Sequence, residues 1–215
     1  MPKVSIIIPI YNVEKYIRQA LDSVINQTLK DIEIICVNDC TPDNSFEIVK
    51  EYARNDERFV LLEMESNQGQ GMARNRALDI AKGDYIMFLD PDDWYELDAC
   101  EKAYNQISKN QNDMVFFDLY VQKEKKGELH KKELSKTRLK VFRKFKENPH
   151  INLSEIEDIW FTACWAWAQI YSREFLNVHK IRYSNNRFLE DLAFFAKAIP
   201  ITITTAIYIT IAIRI

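Results

Sequence analysis

Short apolar runs and amphipathic stretches alternate along the first ninety or so residues of the chain. Four runs rich in Ile and Val have the length and composition of strands that are buried on both faces. Between these runs, apolar residues recur at helical spacing, as they do from Val13 to Ile25. The predicted strands are residues 3–8, 32–37, 59–62 and 84–89, and the predicted helices are residues 13–25, 45–53 and 71–82. This alternation predicts a mostly parallel sheet with right-handed crossovers, flanked by helices.

Polar side chains cluster where three of these predicted strands end. Tyr11-Asn12 follows the first strand, Asn38-Asp39 follows the second, and Asp90-Pro-Asp92-Asp93 follows the strand at 84–89. Ligands of open parallel sheets bind beyond the carboxyl ends of the strands, so we expect a site at this edge. Three adjacent carboxylates repel one another unless a cation or hydrogen-bond donors compensate, and Mg²⁺ prefers such oxygen ligands. A solvated acidic turn before the next helix is the alternative that these residues leave open.

The second half of the chain has a less regular pattern. Residues 96–109 are predicted to form a helix and residues 113–121 a strand. Glu190-Asp191 lies inside an aromatic and apolar stretch. Carboxylates in such a place either begin a helix, where the helix dipole favours them, or provide a general base in a low-dielectric pocket. Trp165 and Trp167 are predicted to belong to the core or to a pocket wall.

The C-terminal tail, residues 201–215, has an unusual period of two. Isoleucine occupies every odd position except 205, and this spacing predicts extended structure. One unbroken strand would span about 50 Å, which is longer than usual, so we predict two strands with a break near Thr205-Ala206. An uncovered strand edge favours aggregation. We therefore expect the body of the protein, or a second subunit of a homo-oligomer, to cover the tail.

Composition and charge exclude some classes of protein. The 215 residues carry a net charge of −3, but residues 123–146 hold eleven Lys or Arg against three Glu, a local +8 that leaves −11 for the rest. An acidic body with one basic segment is not typical of a nucleic-acid-binding protein. The basic segment is either a solvated insertion or a peripheral contact with anionic lipid headgroups.

The remaining features of the sequence indicate the compartment. The four cysteines, Cys36, Cys40, Cys100 and Cys164, show no paired spacing and are expected to be reduced thiols. The sequence contains no secretory signal and no apolar run of the length that a membrane span needs. We therefore predict a cytoplasmic protein, with the inner face of the membrane as the surface that the basic segment would contact.

Six segments, in order, resemble the motifs of the large glycosyltransferase family 2. They are Val4–Asn12, Ser23–Thr28, Val37–Ser45, Asn67–Asn75, Phe88–Trp94 and Leu189–Phe194. The resemblance runs from about residue 3 to 200 and implies an α/β fold of GT-A type, with a mostly parallel nucleotide-binding sheet and a smaller mixed acceptor-side region. Residues 1–95 would form the nucleotide-sugar-binding half and residues 96–200 the acceptor-binding half, with the basic insertion at 123–146 and the strand-like tail at 201–215.

The resemblance also implies a reaction. Members of the family transfer a sugar, with inversion, from a nucleotide-diphosphate donor to an acceptor hydroxyl. For this chain it implies a UDP-sugar donor, Mn²⁺ or Mg²⁺ as cofactor, and transfer of a hexosyl or N-acetylhexosaminyl group. The acceptor would be a glycan or lipid-linked glycan of bacterial surface polysaccharide or lipooligosaccharide synthesis. The QxxRW pattern of processive synthases is absent, which favours the addition of one sugar or a few.

Family roles transfer to individual positions of this sequence. Pro9 and Tyr11 would line the nucleotide pocket, with the Tyr11 ring against the base. Asp39 would accept a hydrogen bond from the base, which suits the N3–H of uracil. Arg74 would lie near the base or the diphosphate, and Asp90 near the ribose.

The remaining roles concern the metal and the chemistry. Asp92 matches the metal-binding residue of the family's DxD pair, and Asp191 matches its catalytic base, with Glu190 beside it as a substrate-binding residue. The physical chemistry agrees, because a cation can stabilise a diphosphate leaving group and a carboxylate can take the proton of a weakly nucleophilic hydroxyl.

Two other classes of function are alternatives. A sugar-1-phosphate nucleotidyltransferase has a related fold, but it needs a glycine-rich loop after the first strand, where this chain has Pro9-Ile-Tyr-Asn12. A non-catalytic binding protein that has kept a GT-A-like fold is the second alternative.

Overall fold

The computed structural model describes residues 1–109, 111–116, 118–125, 128–132, 168–185, 189–198 and 210–214. Its strands are β1 (Val4–Ile10), β2 (Ile32–Asn38), β3 (Phe59–Glu63), β4 (Tyr85–Phe88), β5 (Met114–Phe116), β6 (Asp118–Lys125), β7 (Glu128–Lys132), β8 (Gln169–Ser172) and β9 (Thr210–Arg214). Its helices are α1 (Ile17–Ile25), α2 (Ser45–Ala53), α3 (Gln70–Leu78), α4 (Ala99–Lys109), α5 (Arg173–Val178) and α6 (Glu190–Ala198).

Within the described residues, six strands form the main sheet in the order β3-β2-β1-β4-β8-β5. Strand β1 pairs in parallel with both β2 and β4, and β2 pairs in parallel with β3. Strand β8 runs antiparallel to its two neighbours, β4 and β5. The predicted α/β architecture with a mostly parallel sheet is therefore confirmed.

The central strands β1, β2 and β4 of the main sheet are buried on both faces, which explains why they are continuous apolar runs. All seven residues of β1 are buried. Ile6 and Ile8 pack into the core that includes residues of α1 and α2, whereas Ile7 packs into the core that includes residues of α3 and α6. Each fully buried Ile side chain contributes about 1.5–3 kcal/mol relative to exposure. The two cores fix the carboxyl ends of β1, β2 and β4 side by side.

Strand β1 extends to Ile10, two residues beyond the predicted end at residue 8, and therefore includes Pro9. The carbonyl oxygen of Ile7 accepts a hydrogen bond from the Leu89 N–H (3.0 Å), so the backbone of Ile7 faces β4. The backbone nitrogen of Pro9, two residues further along the strand, faces the same side of β1. The pairing of β1 with β4 has already ended there, at Phe88. Its missing N–H therefore costs no hydrogen bond of the sheet, which is the situation in which strands tolerate proline.

Several other predicted elements have different limits in the structure, among them α4, which begins at Ala99 rather than at residue 96. Helix α1 begins at Ile17 rather than Val13, because the carbonyl oxygen of Val13 accepts the N–H groups of Tyr16 and Ile17 in a preceding turn. Helix α3 ends at Leu78, four residues before the predicted end. The strand predicted at 113–121 is two strands, β5 in the main sheet and β6 in the second sheet.

The second sheet is small and mixed. Strands β6 and β7 form an antiparallel hairpin that includes the first part of the basic segment, and β9 pairs in parallel with β6. The last described residues of the tail are therefore extended, as predicted, and are paired with the body of the chain. Residues 133–146, Trp165, Trp167 and residues 201–209 lie outside the described residues.

Three of the four cysteines lie within the described ranges. Cys36 and Cys100 are buried free thiols, and Cys40 is an exposed free thiol; Cys164 lies outside these ranges. Burial raises the pKa of the Cys36 and Cys100 thiols, so both stay protonated and act as small apolar side chains. None of the described helices combines the length and the apolar character that crossing a bilayer requires.

Gly83, which precedes β4, makes a close backbone contact that supports a stability prediction. A Cβ atom at this position would lie 2.5 Å from the Ser5 nitrogen and 2.8 Å from the Val4 carbonyl carbon. The Gly83 N–H also donates hydrogen bonds to Ser5 Oγ (2.9 Å) and Glu33 Oε1 (3.0 Å). We expect Gly83→Ala to lower the free energy of unfolding by about 3 kcal/mol, because strand backbone must move. Urea denaturation measures this loss.

Gly71→Ala is the matched control for this substitution. The three atoms nearest to its Cβ would belong to the Tyr183 side chain, at 3.2 Å or more, and alanine favours a helix over glycine by about 1 kcal/mol. We expect its stability to stay within about 1 kcal/mol of the wild type. Equal losses in the two variants would contradict the proposed backbone clash at Gly83.

Candidate functional site

A cleft of about 410 Å³ lies at the carboxyl ends of β1, β2 and β4. It is lined by Pro9, Tyr11, Val13, Asp39, Asn67, Gly69, Gln70, Asp90, Pro91 and Asp92. Five of the eight site residues named from the sequence are in this lining. The three polar clusters of the sequence therefore meet at one edge of the sheet, as the parallel arrangement predicts.

Tyr11 stands at the rim of the cleft, and its loop is fixed by side chains that follow β2. The residue is 48% exposed, so its side chain is accessible to a ligand in the cleft. Asn12 has a left-handed backbone (φ 55°), and its N–H donates to Thr41 Oγ1 (2.8 Å). The Val13 N–H donates to Ser45 Oγ (3.0 Å). These bonds hold the end of β1 against the end of β2.

Asp39 shapes the floor of the cleft through the loop before α3. Its two carboxylate oxygens accept the N–H groups of Gln68 (2.7 Å) and Gly69 (2.8 Å), and its carbonyl oxygen accepts Asn67 Nδ2 (3.0 Å). Each carboxylate oxygen has a second lone pair, so these bonds leave capacity for a donor on a ligand. Recognition of a base by Asp39 remains a prediction.

Arg74, on α3, is a fully buried cation that joins two carboxylates distant in sequence. Its Nη2 donates to Asp90 Oδ1 (2.5 Å) and its Nη1 to Asp191 Oδ1 (2.7 Å), although the guanidinium side chain is 0% exposed. Burial lowers the pKa of Arg74, but electrostatic interactions with Tyr183, Asp90 and Asp191 outweigh burial and raise the pKa overall. Arg74 therefore lies behind the cleft and holds Asp90 beside Asp191. Direct contact with the donor remains a prediction.

The acidic cluster after β4 is short of positive charge. Asp90, Asp92 and Asp93 each offer one carboxylate oxygen within 4.8 Å of the others. Burial, and then the charges of Asp90 and Asp92, raise the pKa of Asp93 to about 9. Burial also raises the pKa of Asp90 to about 6, although Arg74 opposes this.

The geometry of this cluster fits a divalent cation. Oxygen ligands on opposite sides of Mg²⁺ are about 4 Å apart, and the carboxylate oxygens of this cluster all lie within 4.8 Å of one another. The raised pKa values express the same fact, because the cluster favours any added positive charge, whether a proton or a metal ion. Asp92 was the predicted metal ligand, and the structure adds Asp90 and Asp93 as residues able to contribute.

Glu190 and Asp191 begin α6 and lie next to this network. Both are in the first helical turn, where the helix dipole favours carboxylates. Asp191 bonds to Arg74, and Glu190 Oε1 accepts a hydrogen bond from Gln70 Nε2. Glu190 thus contacts Gln70, which lines the cleft, whereas Arg74 lies between Asp191 and the lining residue Asp90. The helix-start interpretation is thus correct and is compatible with the proposed base.

Three residues of the site were not identified from the sequence. Gln70 lies in the Asn67–Asn75 stretch and Asp93 in the acidic cluster, so both were in motifs without an assigned role. No pattern in the sequence indicated a role for Tyr183. Its ring stacks on Phe194 (4.3 Å between centroids) and lies 5.3 Å from the Arg74 guanidinium carbon. Its contribution depends on packing between segments far apart in the chain.

Asp43 holds the loops at the ends of β1 and β2 together and supports a pH prediction. Partial burial raises its pKa, but hydrogen bonds from Ser45, Thr41 and the Glu14 N–H outweigh burial and lower the pKa to about 2. Because the folded-state pKa lies below the unfolded value of about 3.9, stabilisation is complete above pH 4 and is lost between about pH 4 and pH 2.

We therefore expect Asp43→Ala to lower the free energy of unfolding by about 1 kcal/mol at pH 7, the typical net contribution of one hydrogen bond. The difference from the wild type should shrink below pH 4, which urea denaturation at several pH values measures. Asp31→Ala, at an exposed pair with Lys3, is the control and should change little. A difference that is constant down to pH 3 would contradict the assigned role of the charge.

Comparison with known proteins places the chain among glycosyltransferases. The sequence model described as "Glycosyl transferase family 2" matches residues 5–180. The chain is 36% identical over 192 residues to glycosyltransferase GlyA of Streptococcus pneumoniae serotype 4, covering 88% of this chain and 27% of GlyA. It is 44% identical over 116 residues to a poly(ribitol-phosphate) beta-glucosyltransferase of Bacillus spizizenii, covering 53% of this chain and 18% of that protein.

Solved structures give the same result for the fold. The structure of S. aureus TarS 1-349 in complex with UDP superposes with a TM-score of 0.79 and 27% identity, covering 97% of this chain and 60% of that one. A structure of the same TarS fragment in complex with UDP-GlcNAc also has a TM-score of 0.79. The chain thus spans between about a fifth and about three fifths of the length of these proteins. Its α/β fold is of GT-A type, and the chain belongs to glycosyl transferase family 2.

Proposed function

We propose that the protein transfers a sugar from a UDP-sugar to a hydroxyl of a glycan acceptor, with inversion at the anomeric carbon. The observation that carries this proposal is the joining of Asp90, which lines the cleft, to Asp191 through one buried guanidinium. Such an arrangement places a donor site and a candidate base within one side chain of each other. Sugar transfer needs a donor site and a base at that distance, whereas binding of the donor needs only the donor site.

The cleft supports the donor assignment. The exposed face of Tyr11 can stack on a base, and Asp39 can accept the N3–H of uracil in addition to its two backbone donors. Asp90 and Asp92 line the same cleft and, with Asp93, can hold Mn²⁺ or Mg²⁺. A cation bound there would neutralise the charge that develops on the diphosphate leaving group. The TarS complexes with UDP and UDP-GlcNAc support a uridine donor.

Asp191 is the proposed general base. An acceptor hydroxyl is weakly nucleophilic, so its proton must leave as its oxygen attacks. The new bond joins that oxygen to the anomeric carbon, the bond from this carbon to the diphosphate oxygen breaks, and the proton goes to the Asp191 carboxylate. Arg74 fixes the orientation of this carboxylate by bonding Oδ1. A cation held by Asp90 and Asp92 would stabilise the diphosphate leaving group, so no second acidic residue would be needed.

The acceptor class is proposed from relatives. One relative is a poly(ribitol-phosphate) beta-glucosyltransferase, which supports a role in bacterial surface polysaccharide synthesis, with a glycan or lipid-linked glycan as acceptor. We propose that the reaction takes place in the cytoplasm and that the basic segment 123–146 contacts anionic lipid on the inner face of the membrane. Each basic group near such a surface adds about 1 kcal/mol.

A thermal-shift panel of nucleotide sugars, with and without Mn²⁺, tests the donor assignment. A ligand that binds only the folded state at a hundredfold excess over its Kd should raise the melting temperature by about 5 °C or more. We expect this shift from UDP-sugars with Mn²⁺, followed by release of UDP when acceptor is added. Incubation with UTP and a sugar phosphate is the control, because pyrophosphate release would indicate a nucleotidyltransferase instead.

A further inference from the structure

Two hydrogen bonds close the backbone loop that carries the acidic cluster. The inner bond runs from the Asp93 N–H to the Asp90 carbonyl oxygen (2.9 Å) and forms a tight turn. The outer bond runs from Tyr95 Oη to the carbonyl oxygen of Phe88, the last residue of β4 (2.5 Å). One buried side chain therefore joins the two ends of the loop in which Asp90, Asp92 and Asp93 lie.

Tyr95 belongs to the core of the protein and not to the cleft. The residue is 1% exposed, and it is part of the core that also includes the buried apolar residues of α1. Its N–H donates a hydrogen bond to Ser23 Oγ on α1 (3.1 Å). No residue of α1 lines the cleft, and neither does Tyr95. Tyr95 thus connects the acidic loop to a helix that lies outside the cleft.

The residues that follow Tyr95 are fixed by the end of the same helix. Gln27, two residues beyond α1, is fully buried. Its Nε2 donates to the Glu96 carbonyl oxygen (2.8 Å), and its Oε1 accepts the Cys100 N–H (2.9 Å). Because the backbone on the C-terminal side of Tyr95 is bonded to a packed helix in this way, α1 determines where the Tyr95 hydroxyl lies.

The acidic cluster needs a constraint of this kind. Its three carboxylates lie within 4.8 Å of one another, and they repel when they are ionised. A loop that was free to move would separate them, and ordering the loop again would reduce the free energy of cation binding. Removing a group that orients the ligands of a metal typically weakens metal binding by about 10–100-fold.

We propose that Tyr95 is a positioning residue of the cation site. Its hydroxyl closes the acidic loop at the Phe88 carbonyl, and its N–H sets the loop against Ser23 of α1. The carboxylates therefore keep the spacing that a divalent cation needs before the cation arrives. Tyr95 acts through the backbone of the loop and not through contact with the ligands of the cleft. This inference rests on the cation site of the proposed function and deepens it.

Tyr95→Phe tests the proposal, because it removes only the hydroxyl group. Binding of Mn²⁺ alone is measured from the electron paramagnetic resonance signal of the free aqueous ion, at a temperature at which every variant is fully folded. We expect Tyr95→Phe to weaken Mn²⁺ binding by about tenfold. Calorimetric titration with UDP in metal-free buffer should give the Kd of the wild type, because Tyr95 does not line the cleft. A change in overall stability alone would not produce this difference between the two ligands.

Tyr171→Phe on β8 is the matched control. Tyr171 is also fully buried, and its hydroxyl donates to Gln169 Oε1 (3.0 Å), outside the acidic loop. We expect this variant to keep the Mn²⁺ affinity of the wild type. Ser23→Ala is a second test, because it removes the bond from α1 to the Tyr95 N–H. It should weaken Mn²⁺ binding by about fivefold, the net effect of one neutral hydrogen bond.

Unchanged Mn²⁺ affinity in Tyr95→Phe would overturn the proposal. Equal weakening in Tyr95→Phe and Tyr171→Phe would also overturn it, because the effect would then follow from the loss of any buried hydroxyl. If Tyr95→Phe does not fold, Ser23→Ala takes its place, and an unchanged affinity in that variant overturns the proposal. A wild type that binds no Mn²⁺ would instead contradict the proposed cation site on which the inference rests.

Discussion

Asp191→Asn should lower the rate of sugar transfer by about a thousandfold and leave UDP binding nearly unchanged. The asparagine amide keeps the size of the side chain but cannot take a proton, and a positioned general base contributes about 10²–10⁴-fold to a rate. The proposed donor site is the cleft lined by Tyr11, Asp39 and Asp92, which Asp191 does not line. Initial rates of UDP release with acceptor measure the first effect, and calorimetric titration with UDP measures the second.

Asp31→Asn is the matched control for that variant. Asp31 precedes β2, at the end of the sheet opposite the cleft, and forms an exposed pair with Lys3. Its transfer rate should equal that of the wild type. An Asp191→Asn enzyme that transfers sugar at more than a tenth of the wild-type rate would disprove the assignment of the base.

Arg74→Met should lower the free energy of unfolding by about 4 kcal/mol. The substitution keeps a long apolar stem but leaves Asp90 and Asp191 facing each other without their shared cation. Removing one partner of a buried ion pair costs about 3–5 kcal/mol, because the remaining charge is uncompensated. Urea denaturation in metal-free buffer gives the value, and Mn²⁺ should restore part of the loss if it binds to the acidic cluster.

Arg76→Met, two residues further along α3, is the control. Arg76 is exposed, and surface substitutions usually change stability by less than about 0.5 kcal/mol. Arg74→Lys should fall between the two, since one ammonium group cannot bond both carboxylates with the planar geometry of a guanidinium. Equal stability of Arg74→Met and Arg76→Met would mean that the buried network contributes nothing.

The sequence was sufficient to predict where the cleft would be. Buried apolar runs separated by helical patterns allow few arrangements other than a parallel sheet, and such a sheet brings its strand ends together. Tyr11, Asp39 and Asp92 could therefore be placed at one edge before any contact was known. The spacing of the apolar residues was enough to predict where the strands end. The polar character of the residues that follow was enough to predict that they line a site.

The network behind the cleft could not be predicted in the same way. The burial of Arg74 depends on α6, which begins more than a hundred residues later in the chain, and no local pattern shows that a charged residue will be enclosed. The bond from Gln70 to Glu190 depends on the same packing. Pro9 is a similar case, because its place within β1 depends on where the neighbouring strand stops. Tertiary packing determines each of these features, and local spacing does not.

Calorimetric titration of UDP into the protein, with and without Mn²⁺, tests the central claim most directly. The claim is that the carboxylates after β4 hold a cation, which in turn holds a diphosphate in the cleft. We predict UDP binding by the wild type that strengthens at least tenfold with Mn²⁺, and no effect of Mn²⁺ in Asp92→Ala. A wild-type titration without heat in the presence of Mn²⁺, or an equal metal effect in Asp92→Ala, would contradict the account.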